Sequence, residues 1–210
     1  MTHRDTSTKE SGFTIVELMI ATLVFSVILT VITVGVMSFT NRYYKGANVS
    51  TTQNATQSML DTITQAIQFG SAIVQPTSAT TNYFCAGGYA FTYDKGVLYT
   101  GSQTGFYMAP MGSTCAPTTT GGKQLLGTNM RITNLSVVNI DASEHLYSVS
   151  MTVAFGANDL LCSPAQGNCY GSAGMTTFWP VADVRCKTTT GSQFCAVSTL
   201  TTTVEQRIGS

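Results

Sequence analysis

Charge is scarce in this chain of 210 residues: Lys and Arg total 10, Asp and Glu total 10, and the formal net charge is zero. No global basic field exists to draw the chain to nucleic acid. Histidine is nearly absent, with His3 close to the start and His145 alone in a strand-like run. No Ser/His/Asp set is therefore indicated. No G-x-x-x-x-G-K-[ST] phosphate loop occurs. The acids Asp141, Glu144, Asp159 and Asp183 are scattered, without EF-hand spacing. No catalytic residue, metal ligand or cofactor is expected, and the chain does not read as an enzyme. Cysteine is missing from the first 84 residues.

The six cysteines all lie beyond that point, and no C-x-x-C occurs. Cysteines confined to one part of a chain, without zinc-ligand spacing, point to disulfides in an oxidising compartment. Cys162 and Cys169 form one close pair and Cys186 and Cys195 another, leaving Cys85 and Cys115. This local pairing is one of the fifteen connectivities that six cysteines allow. The polar character comes mostly from Thr, Ser, Asn and Gly, a composition that suits strand-rich domains outside the cytosol.

What is abundant is apolar residues near the start. Over 13–40 the only ionisable residue is Glu17, and Arg42 and Lys45 close the run. A bilayer core requires about 20 apolar residues in a helix, so this stretch is long enough to span one. Its Val, Ile and Thr lower helix propensity in water, but in lipid a helix satisfies every backbone group locally. The apolar run is too long for a cleaved secretory signal, and no small-residue cleavage pattern follows it. An ordinary anchor leaves Glu17 unexplained, because an acid within a membrane segment is costly unless paired.

The string GFTIVELM, Gly12 to Met19, preceded by the short polar leader MTHRDTSTKESG and followed by a long apolar helix, resembles the processing site of type IV prepilins and pseudopilins. The resemblance implies cleavage between Gly12 and Phe13 by a membrane-embedded prepilin peptidase. Glycine suits that junction because it has no side chain to obstruct a close approach. It further implies N-methylation of the Phe13 amine and a pairing of Glu17 with that amine on a neighbouring subunit. A buried ammonium–carboxylate pair offsets most of the cost of burying either charge alone, so Glu17 would set the register of assembly. The implied partners are other pilin subunits through the N-terminal helix, the prepilin peptidase, the inner-membrane assembly platform, and membrane lipid before assembly. Two departures stand out. Asp5 and Glu10 balance Arg4 and Lys9 in the leader, so Lys and Arg give no strong orientation bias. The run also lacks the proline that many major pilins carry, so no kink is expected.

Beyond Arg42 the helical spacing continues, with Ala55, Met59, Leu60, Ile63, Ala66 and Ile67 forming one apolar stripe. Gly70 and Pro76 mark its end, and Gly46 leaves open a hinge between two helices. From Asn82 the period becomes two. YAFTYDKGVLYTG reads as a hairpin turning at Asp94-Lys95-Gly96, and 101–122 reads as an irregular loop tied down by Cys115. The best strands are 131–140 and 146–155, joined by a turn at 141–144, and 194–207 supplies a final one. Helix first and antiparallel strands after give an α+β layout, which matches the pilin architecture. The expected division is a removed cytoplasmic leader, 1–12, a long helix, 13–75, and a β-rich head, 76–210. Within the helix, 13–40 is the membrane half and 41–75 the amphipathic half. The segments MLDTITQAIQFGSAIV and TLTTTVEQRIGS, with Arg207 near its end, resemble the helix ending and closing strand of larger minor pilins and their pseudopilin counterparts.

The function this implies is a structural minor pilin, anchored in the inner membrane with its head outside the cytoplasm. The alternatives are a minor pseudopilin of a type II-like secretion system, and a filament-tip adhesin or DNA-uptake component. A DNA role calls for a basic patch, but Lys95, Lys123, Arg131, Arg185, Lys187 and Arg207 are dispersed, and only Arg185 and Lys187 lie close in sequence. The aromatics Tyr83, Phe84, Tyr89, Phe91 and Tyr93 sit at alternating spacing that reads as half core and half surface.

Overall fold

The computed structural model describes residues 12–70, 73–74, 82–101, 105–141, 143–164, 183–188 and 191–207. The chain divides into two compact units, Met1–Arg42 and Tyr43–Ser210. One helix, α1 (Ile15–Gln68), begins in the first and ends in the second. It passes through Gly46 as helix, so there is no hinge there. Packing of the face that follows outweighs the cost of one helical glycine, about 1 kcal/mol.

In the first unit every side chain from Phe13 to Phe39 is exposed, although most are apolar. This helix is long and apolar enough to cross a membrane, by length and composition. Most of its hydroxyls are satisfied within the helix. Ser26, Thr30, Thr33 and Thr40 each donate to the carbonyl four residues back at 2.8–2.9 Å, and Thr22 donates to Met19 O at 3.0 Å. A polar group satisfied by its own helix is one that hydrocarbon can accept.

In the second unit α1 buries Met59, Leu60, Ile63 and Ile67, with Ala55 and Ala66 half-buried beside them. The apolar stripe therefore faces the core, as its spacing requires. Thr52 and Thr56 extend it, because their hydroxyls bond to Asn48 O and Thr52 O at 2.7 Å and so enter the core satisfied.

Against this face pack strands of two antiparallel sheets. The first holds β1 (Tyr83–Ala86), β2 (Tyr89–Tyr93), β3 (Phe106–Pro110) and β4 (Lys123–Gln124), in that order. The second holds β5 (Met130–Asp141), β6 (Leu146–Phe155) and β9 (Ala196–Glu205), with β6 central. A two-residue pair, β7 (Leu161–Cys162) with β8 (Arg185–Cys186), forms a third. The layout is α+β and pilin-like. In the first sheet Phe84, Phe91 and Phe106 stack in turn, with centroids 4.8 and 5.9 Å apart. In the second, Ile132, Val149, Met151, Val153 and Val204 line the core.

The first sheet departs from expectation in three places. The turn that matters is Gly87-Gly88, not Asp94-Lys95-Gly96. Both glycines have positive φ, 62° and 78°, and they join β1 to β2 with Ala86 facing Tyr89. Such a two-residue turn matches strand twist only with left-handed residues. The segment expected to return as a strand, 97–100, instead follows the start of β5: Gly96 N donates to Ile132 O at 2.7 Å and Tyr99 N to Met130 O at 2.9 Å. Finally, the stretch 101–122 is not wholly irregular, because FYMAP within it forms β3 and pairs fully with β2.

The second sheet follows expectation closely. Its β5–β6 turn is fixed by Asp141, whose Oδ1 accepts from Ser143 Oγ at 2.6 Å, Ser143 N at 2.8 Å and Glu144 N at 3.3 Å. Those bonds, the Ser143 hydroxyl foremost, hold its carboxyl below the usual range. His145 belongs to this turn, not to a strand, with φ 50°.

α1 stops at Gln68, short of the expected 75. There the chain end supplies partners for the helix's last carbonyls. Arg207 N donates to Gln68 O at 3.0 Å and Gln206 Nε2 to Gly70 O at 2.8 Å. Gly70 and Gly87 meet backbone to backbone: a Cβ on Gly70 would lie 2.2 Å from Gly87 Cα. Disulfides join Cys85 to Cys115 and Cys186 to Cys195. Cys162 is also disulfide-bonded. Cys169, its expected partner, lies outside the described residues, as do the leader 1–11 and most of the loop between β7 and β8.

Candidate functional site

The residues singled out at the N-terminus are Gly12, Phe13 and Glu17. Phe13 is 81% exposed. A Cβ added to Gly12 would meet nothing within 4 Å, so the fold itself makes no demand for glycine there.

Glu17 has a partner within its own chain. Thr14 precedes the first helical residue, and Glu17 N donates to Thr14 Oγ1 at 3.3 Å. In return Glu17 Oε2 accepts from Thr14 N at 3.3 Å and from Thr14 Oγ1 at 3.2 Å. This is a capping box, which satisfies two otherwise orphaned helix donors reciprocally. It also places a carboxylate at the positive end of the helix dipole. The T-x-x-E spacing was in the sequence and goes unused when Glu17 is read only as a pairing partner.

Position in a bilayer follows from helix geometry. At 1.5 Å per residue, Glu17 and Arg42 lie about 37 Å apart along α1. That exceeds the hydrocarbon core, about 30 Å, and falls within the full thickness of about 40–45 Å. A straight span of that length would hold both charges at the two interfaces, with mostly apolar side chains and self-bonded hydroxyls between them.

No cluster of three His, Cys, Asp or Glu side chains occurs among the described residues. The basic residues are further dispersed by the fold. Arg131 is buried, with Nη1 and Nη2 donating to Asn158 Oδ1 and Gly156 O, and burial pushes its guanidinium down to about 10. Lys187 is buried too, while Arg185 is exposed, so the only sequence-local pair of cations does not form a surface patch. Of the aromatics, Phe84, Phe91 and Tyr93 are core, Tyr83 is half-buried and Tyr89 is exposed.

The family model described as the prokaryotic N-terminal methylation motif matches residues 7–33. The match supports the resemblance of the chain to type IV prepilins and pseudopilins. No curated protein and no solved structure matches it. The motif ends inside the apolar helix, so it speaks for the leader, Gly12, Phe13, Thr14, Glu17 and the beginning of the span, and not for the head. In a pilin or pseudopilin these features imply processing by prepilin peptidase, association with other pilins and an N-terminal helical anchor.

Proposed function

We propose that this pilin is a minor subunit of a type IV pilus-like filament, acting as a structural component and not as an enzyme. The leader is cytoplasmic, α1 is anchored in the inner membrane through 13–40, and the disulfide-tied head lies outside the cytoplasm. Prepilin peptidase cuts between Gly12 and Phe13, and the new amine is methylated. Assembly carries the exposed apolar helix from lipid into contact with the helices of other subunits.

The observation that carries this reading is Glu17, a single acid placed five residues into the cleaved chain on a helix that is otherwise uncharged as far as Arg42. In the unassembled subunit it is held by Thr14 and, by length, at the membrane interface. In the filament it pairs with the Phe13 amine of a neighbour. Opposite charges placed together in an apolar surrounding hold register, because removing either leaves the other buried without compensation. Burial of Arg131 and Lys187 argues against a DNA-binding head, since two of its few cations are withdrawn from the surface.

The test is Glu17→Ala in the native host. Cleavage and membrane insertion should persist, while the protein should vanish from sheared filaments. Incorporation at the normal level would contradict the register role.

A further inference from the structure

An apolar groove of about 470 Å³ opens in the second unit, between the beginning of its α1 segment and the head. Tyr44 and Asn48 form one wall, and Leu98, Phe155, Leu160 and Phe194 line the rest. Tyr44 and Phe194 are each about half exposed, at 46% and 47%, and their rings lie 5.9 Å apart. Tyr43, 66% exposed, meets Tyr44 edge-on at 6.2 Å.

The groove is built, not loose. Asn48 Nδ2 donates to Gln193 O at 2.9 Å, which ties the Ser192–Phe194 turn to α1. The Cys186–Cys195 disulfide holds the same turn from its other side. Arg131 grips Gly156 O and Asn158 from within. Gly156, at φ 118°, lets the two loops touch, since a Cβ there would sit 2.8 Å from Phe194 O.

Chain connectivity places this patch. Three residue steps lead from Asn41, where the apolar run ends, to Tyr44. Fully extended they reach about 11 Å, and as the observed helix they rise about 4.5 Å. The interfacial layer of a bilayer is about 5–8 Å thick on each side. So when Arg42 and Lys45 lie at the headgroups, Tyr44 lies in that layer, and whatever touches Tyr44 lies beside it. Tyrosines flanked by cations are the side chains that favour this layer, where a ring meets acyl chains and a hydroxyl meets water. Two cations within one helical turn also favour anionic headgroups.

We propose that this aromatic groove binds the phospholipid interface, seating the head on the membrane while the subunit is unassembled. The proposal rests on the membrane-anchored reading of 13–40. Filament entry then has to strip lipid from the head as well as from the helix.

The test uses the full chain in nanodiscs of phosphatidylglycerol and phosphatidylcholine, with leucine methyls observed by NMR and a lipid spin-labelled near the headgroup. Leu98 and Leu160 signals should be lost when the labelled lipid is present, while the buried Leu126 and Leu135 signals persist. Leu23 and Leu29 report the span itself. If they broaden while Leu98 and Leu160 do not, the inference fails and the anchor reading stands; if they do not broaden, the anchor reading has failed. Phe194→Glu should restore the Leu98 and Leu160 signals with the Leu126 and Leu135 shifts unmoved. Continued loss in that variant overturns the proposal. So does loss that needs no labelled lipid and occurs only when several subunits share a disc, which would mark a second copy as the occupant.

Discussion

Two disulfides close loops of very different size, and this allows a comparison in which packing cancels. Cys85 and Cys195 are buried, Cys115 and Cys186 half-buried, so each bridge joins one side chain of each kind. Replacing a pair with alanines therefore removes similar contacts in both cases. What differs is the loop: the sequence separation is 30 for Cys85–Cys115, for which loop-closure entropy gives about 3.6 kcal/mol at 25 °C. For Cys186–Cys195 it is 9, giving about 2.6 kcal/mol. The long bridge also fastens Cys85, which pairs with Val74 through two backbone bonds of 2.9 and 3.0 Å and thereby ties 73–74 to β1. The assay is urea unfolding of the full chain in detergent, followed by near-ultraviolet circular dichroism. Cys85→Ala/Cys115→Ala should lose about 1 kcal/mol more than Cys186→Ala/Cys195→Ala, an additional destabilisation of roughly fivefold in the folding constant. Equal losses, or a greater loss from the short loop, would refute the argument from unfolded-chain entropy.

Three other outcomes follow from the fold. Ile63→Ala removes a fully buried side chain where α1 meets the core, and should cost about 2–5 kcal/mol by the same unfolding assay; a loss under about 1 kcal/mol would mean that the helix does not depend on this contact. Gly87→Ala forces a Cβ to within 2.5 Å of Ala66 O at φ 62°, so it should destabilise by more than about 1–2 kcal/mol, whereas Gly88→Ala, with open space around it, should bear only the left-handed strain. Because Asp141 is held below its unfolded carboxyl value, its contribution is present above about pH 4 and is lost as pH falls through its folded value. Amide exchange in the β5–β6 turn should accelerate over that acid range, and Asp141→Asn should flatten the dependence.

Local signals made most of the architecture legible. The apolar stripe from Ala55 to Ile67 is at helical spacing and faces the core. The run from Leu146 to Phe155 alternates and is the central strand of its sheet. What escaped reading was set by contacts distant in sequence. Val97 to Thr100 look like a strand that returns along the hairpin, but Tyr99 bonds instead to Met130 O and Asn129 N. β3 lies hidden in a Gly-, Pro- and Thr-rich stretch, because pairing with Tyr89 to Tyr93 overrides the composition around it. Arg131 counts in the sequence as one of the dispersed cations and is buried by a loop more than 20 residues away. Two signals were local and still passed over: Gly87-Gly88 between alternating runs, and Thr14 three residues before Glu17. Each has its own physical meaning, a hairpin turn and a helix cap. The second bears on function, since it gives Glu17 a partner in its own chain before the proposed pairing in the filament.

That partner exchange presupposes a cleaved chain with a free amine at Phe13. N-terminal mass spectrometry of the filament-associated protein examines this directly. The chain should begin at Phe13 and carry a methyl group on its amine. A filament-associated chain that retains residues 1–12 would contradict it.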